Sequence, residues 1–106
     1  MADTVAGFFT ALPQHIDPKR TAGINATYQF NIEGDGGGDW YVELVDGAPT
    51  VAEGAAENPN ITLSASTQDW LDIVNGKLSG QSAFLTGRLK LKGDVALAMK
   101  LQSIMG

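Results

Sequence analysis

The residue pattern predicts an α+β fold, one sheet with helices laid on one of its faces. Three observations carry this expectation. Apolar and polar residues alternate over 24–33, 40–45 and 60–65, the period of strands with one dry and one wet face. Apolar residues recur at helical spacing near both ends of the chain. The order along the chain is helix, three or four strands, helix, strand, helix.

The first helix starts at Asp3 or Thr4, either of which can cap it. Val5, Phe8, Phe9 and Leu12 follow as one apolar stripe. Pro13 limits how far this helix runs undisturbed. Asp17-Pro18 reads as a cap followed by proline at the first helical position, giving a short helical turn over 18–22. Ile24, Ala26, Tyr28, Phe30 and Ile32 form the dry face of the clearest strand, 24–33. The glycine-rich segment 34–39 is its hairpin loop. Trp40, Val42 and Leu44 share one face of the return strand. Asp46-Gly47 is a tight-turn signal, and a weaker strand follows around 50–53. Loop 54–59 leads to the alternating segment 60–65. Ser66-Thr67 with Asp69 reads as a capped helix start, and Asn75-Gly76 as its end. Residues 79–86 form a short helix or turn. Arg88-Leu89-Lys90-Leu91-Lys92 reads as an edge strand blunted by charge. Gly93-Asp94 opens a last helix that reaches about Met105.

The 106 residues are 43% hydrophobic and 18% charged, which suits a single globular domain over 1–106. There is no cysteine and one histidine, His15. That excludes a disulfide scaffold, a cysteine nucleophile and a multi-histidine metal site. No stretch is long and apolar enough to span a membrane. No secretion signal, peroxisomal address or ER-retention address is visible, so the expected location is cytoplasmic.

The net charge of −5 disfavours nucleic acid as a partner. The charge is uneven. Residues 1–76 hold eleven acids and two bases, and residues 77–106 hold five bases and one acid. Arg88, Lys90, Lys92 and Lys100 therefore form either an intramolecular counterweight or a surface for anionic membrane head groups.

No catalytic constellation emerges. The glycine-rich loop joins two strands, whereas a dinucleotide fingerprint leads from strand to helix. Asp35 and Asp39 lack calcium-loop spacing. His15 has no serine partner in view. The expectation is a non-enzyme with no metal and no cofactor.

The informative segment is the last helix. Eight of the eleven residues from Val95 to Met105 are apolar. On a helical wheel they cover about 220°, against roughly 100° for a helix that covers one core. Such a helix is either clamped on several sides or walls a cavity or a docking face. Gln102 sits inside the apolar arc. A buried amide without a partner costs about 1–3 kcal/mol, so Gln102 requires a backbone group, a water or the polar end of a ligand.

The segment Gly80-Gln81-Ser82-Ala83-Phe84-Leu85-Thr86-Gly87-Arg88-Leu89-Lys90-Leu91-Lys92-Gly93-Asp94, with Ala98-Met99-Lys100-Leu101-Gln102, closely resembles the sterol carrier protein type-two family. Tyr28-Gln29-Phe30 through Gly34, then Trp40 and Asp46-Gly47, resemble that family's first hairpin. The similarity covers nearly the whole chain and is most specific over 76–102. One departure is Arg88, where lysine is commoner.

The resemblance implies a five-stranded, mainly antiparallel sheet with helices covering one face and enclosing an apolar lipid tunnel. It implies binding and transfer of fatty acids, fatty acyl-CoA, sterols or similar lipids, without catalysis. Carried onto this chain, Leu97, Ala98, Leu101 and Met105 would line the tunnel and Gln102 would be a polar contact there. Phe30, Trp70, Ile73 and Phe84 are the further walls. The alternative is an accessory module that presents a lipid or isoprenoid intermediate to partner enzymes.

Overall fold

The computed structural model describes residues 3–105, and the side chains of residues 3–101. Helix α1 (Val5–His15) starts at Thr4, whose Oγ1 accepts the Gly7 N–H at 2.9 Å. Pro13 stands inside α1, yet the helix runs on to His15. Proline removes one backbone donor there, and the chain turns extended at Ile16. Helix α2 (Pro18–Thr21) has the expected Asp17 cap, with the carboxylate accepting the Lys19 N–H at 2.9 Å.

Five strands follow the expected sequence with shifted ends: β1 (Ala26–Glu33), β2 (Gly38–Val45), β3 (Ala48–Glu53), β4 (Ile61–Ser66) and β5 (Leu89–Gly93). The hairpin loop between β1 and β2 is shorter than the glycine run, because Gly38 and Asp39 pair with Ile32 and Asn31. Asp46 and Gly47 both adopt positive φ, 49° and 83°, as a two-residue hairpin turn requires. A Cβ on Gly47 would lie 2.5 Å from the Thr21 carbonyl oxygen, so the turn packs directly on α2.

The sheet order is β3-β2-β1-β4-β5. Three neighbouring pairs are antiparallel, and β1 pairs with β4 in parallel. The fold is α+β with a mixed sheet. Helix α3 (Thr67–Val74) starts at Ser66, whose Oγ accepts the Asp69 N–H at 3.1 Å. Helix α4 (Gly80–Leu85) is capped by Ser79 in the same way. Helix α5 (Val95–Met105) follows Asp94, whose carboxylate accepts the Ala96 N–H at 3.1 Å.

Alternation puts Tyr28, Phe30, Ile32, Val42, Leu44, Ile61, Leu63, Ala65 and Leu89 on the helix-bearing face, and all are buried. Helix α1 packs over β2 and β3, α3 over β1 and β4, α4 against β5, and α5 over β4 and β5 next to α2. The opposite face is not uniformly wet. Gln29 is buried there because the connection from β3 to β4 crosses it. Its Nε2 donates to Asn31 Oδ1, Trp40 O and Gly54 O, and its Oε1 accepts the Ala56 N–H at 2.8 Å. A simple two-face reading of 24–33 misses this, since the crossing comes from a segment some 25 residues away.

Candidate functional site

An aromatic cluster holds α1 and α3 on the sheet. The Phe9 ring stacks on Trp40 at 5.3 Å and lies parallel to Trp70 at 6.0 Å. Phe30 tilts against both Phe9 and Trp70, and Phe8 meets Trp70 edge to face at 5.7 Å. Such pairs are worth about 0.5–1.5 kcal/mol each beyond their buried area. Phe30 and Trp70 are therefore fully packed residues at one end of the helix side.

The other end is packed differently. Leu91 stands opposite Leu63 in the β4–β5 register and so faces the helices. Leu63 is buried, but Leu91 is only half-buried. It lies on the strand that α4 and α5 flank. Ile73 and Val74 of α3, Leu78 after it, and Leu97 and Ala98 of α5 are half-buried against the same core. These apolar side chains and Leu91 are thus left partly covered at the margin of one core.

Helix α5 is not clamped all round. Leu101 is buried, while Val95 is 47% and Met99 70% exposed. The wide apolar arc therefore contains a face that touches solvent. On α4, Phe84 is 47% and Leu85 74% exposed. Phe84 consequently stands at the surface, where a fully enclosed wall would be dry. The expected positions Gln102 and Met105 have side chains outside the described residues.

One polar contact fixes α5. Tyr28 of β1 is buried, and its hydroxyl donates to the Leu97 carbonyl at 3.2 Å. Burial, and secondarily the negative Asp94, push its pKa above the ordinary tyrosine value. Residue reading placed Tyr28 on the dry face but missed this bond. The available signal was a phenol within an otherwise aliphatic and aromatic stripe, since a buried Tyr O–H usually finds a partner.

The basic residues do not form one patch on one face. Lys90 and Lys92 pair with Ser64 and Thr62 and point away from the helices, alternating with Leu89 and Leu91. Lys100 belongs to α5, on the helix side. Arg88 precedes β5, and its backbone N–H donates to the Ala83 carbonyl at 2.8 Å. Among the described residues, no three His, Cys, Asp or Glu side chains stand close enough to hold a metal ion. No described helix is long and apolar enough to cross a membrane.

The model of the SCP-2 sterol transfer family matches residues 9–106. Hydroxysteroid dehydrogenase-like protein 2 of Rattus norvegicus is 37% identical over 81 residues, 76% of this chain and 16% of that protein. The chain thus spans about a sixth of the length of that relative. The solution structure of palmitated SCP2L2 from Aedes aegypti superposes with a TM-score of 0.79 at 26% identity, covering 98% of this chain and 93% of that one. The sec-alkylsulfatase Pisa1 from Pseudomonas sp. also matches with a TM-score of 0.79 at 26% identity, covering 94% of this chain and 15% of the sulfatase.

Proposed function

The chain belongs to the SCP-2 sterol transfer family, and from that premise we propose that it binds apolar lipids and transfers them without chemical change. The observation that supports the reading is the half-buried Leu91 on the helix side of β5, the strand that α4 and α5 both contact. Burying acyl or sterol surface there is favourable by about 25 cal/mol per Å². The neighbour solved in palmitated form supports an acyl ligand. In this proposal Ile73, Leu97, Ala98 and Leu101 line the ligand space, Phe84 stands at its mouth, and Phe30 and Trp70 close its inner end. The domain is 1–106, and contact with anionic bilayers draws on Lys100 on the helix side or on Lys90 and Lys92 on the open sheet face, with Arg88 just before β5. The proposal also places the chain in the cytoplasm, which cell fractionation would check.

Titration of delipidated protein with a fluorescent long-chain fatty acid tests the main reading. A saturable signal at roughly micromolar affinity, about −8 kcal/mol, is expected. Absence of saturation with acyl and sterol probes alike counts against it.

A second reading has a specific observation behind it. The chain matches a segment of much longer enzymes, including the dehydrogenase-like relative and the sulfatase. Under this reading it presents a lipid intermediate to partner enzymes. Protein that binds lipid but moves none between vesicles favours presentation over transfer.

A further inference from the structure

Trp70 is 2% exposed, yet its Nε1–H has no hydrogen-bond partner among the described residues. Indole nitrogen can only donate, and an orphaned buried donor carries a desolvation cost. Among the described residues the other buried polar side chains, Thr21 and Gln29, are both satisfied. Thr21 Oγ1 donates to the Gly47 carbonyl at 2.8 Å, and the Gln29 amide makes four bonds. Among the described residues Trp70 is therefore the exception, and it lies within the lipid-binding region proposed above.

The surroundings define what an acceptor must be. The Phe9 ring lies within 4° of parallel to the indole, so an N–H in the indole plane cannot point at the Phe9 face. Ile73 and Val74 stand three and four residues on, on the same side of α3, and both are only half-buried. Ile73, Val74 and Leu91 all pack, partly covered, against the core that contains Trp70. No described Lys, Arg or His is buried, so nothing at this depth would balance a carboxylate. One neutral donor among aromatic rings suits a neutral oxygen.

We propose that Trp70 Nε1–H anchors the bound lipid by donating to a neutral oxygen, an ester or thioester carbonyl or a hydroxyl. This rests on the lipid-binding reading, which it deepens by naming the polar group selected.

Indole 15N–1H spectra of the whole chain provide the test, with Trp40 as internal control. The protein is titrated with methyl decanoate and, separately, with dodecane, a hydrocarbon of similar length. The Trp70 proton should move downfield with the ester and stay nearly in place with the alkane. Trp70→Phe should lower the ester-to-alkane affinity ratio about three- to tenfold, the span of one net hydrogen bond. Saturable binding of both ligands with an unmoved Trp70 signal overturns the anchor and leaves lipid binding standing. So does an upfield Trp70 proton indifferent to ligand, the mark of donation to the Phe8 or Phe30 ring. No saturable binding of either ligand overturns both readings. The wild-type spectra decide even if Trp70→Phe fails to fold.

Discussion

The Tyr28 hydroxyl donates to the Leu97 carbonyl across 3.2 Å, joining residues 69 apart in sequence. This bond ties the start of α5 to the sheet at the point where α5 leaves the edge strand. It is a polar latch on a helix that otherwise rests on apolar contacts, with Leu101 buried and Met99 exposed.

Removing the latch should loosen α5 without unfolding the sheet. Tyr28→Phe keeps the ring and deletes the donor, so stability should fall by about 0.5–1.5 kcal/mol. Amide exchange over 97–101 should quicken more than exchange in β1 and β2. Equal acceleration everywhere would show that α5 has no separate opening.

The same residue should make the fold alkali-sensitive. The Tyr28 pKa is raised in the folded protein by burial and by Asp94. Its neutral form is therefore favoured by folding, and that contribution is complete below the unfolded tyrosine pKa of about 10. It is lost as pH rises through the raised folded value. Unfolding by denaturant across pH 8 to 12 should show a steeper alkaline loss in wild type than in Tyr28→Phe. Parallel curves would remove Tyr28 as the cause.

Leu101 and Met99 should separate ligand lining from outer surface on one helix. Leu101→Ala should weaken lipid binding while stability falls only modestly, and a loss of about 2–5 kcal/mol with unaltered affinity would place Leu101 in a filled core instead. Met99→Ser should change stability by no more than about 0.5 kcal/mol while slowing lipid transfer from vesicles, if the exposed α5 face meets the bilayer. Transfer at the wild-type rate would assign that face another role.

Charge should matter to transfer in two separable ways. Lys90 and Lys92 lie on the open sheet face, and Lys100 lies on α5. Transfer from anionic vesicles should slow as salt rises from 0.01 to 0.1 M, where the Debye length falls from ~30 Å to ~10 Å. If the helix side docks, Lys100→Gln should slow transfer more than Lys90→Gln with Lys92→Gln. The reverse ranking would move the docking surface to the sheet, and rates indifferent to salt would leave the lysines as intramolecular balance.

Most elements were legible because their signals are local. Thr4, Asp17 and Ser66 cap the helices that their spacing predicts. Asp46-Gly47 makes the tight turn with two positive φ values. Strand ends were less legible. Gly38 and Asp39 read as loop, yet they pair with β1, because the ladder continues to Gly38, whose φ of 151° glycine adopts freely. The candidate site was legible only as a list of apolar residues and a family resemblance. Nothing in the alternation of Arg88 to Lys92 separates Leu89, which is buried, from Leu91, which is not.

The sequence by itself determined the helices, the hairpins, the edge character of β5 and an apolar arc on α5 too wide for one core. Each depends on residues within a few positions of one another, where periodicity, caps and turn chemistry act. Only the tertiary structure decided that β4 lies parallel to β1, that the β3–β4 connection buries Gln29, and that α5 leaves Met99 in solvent. It also decided that the Trp70 N–H is enclosed without a partner while the Tyr28 hydroxyl finds Leu97. These depend on which distant segments meet, and burial and hydrogen-bond satisfaction are properties of that meeting.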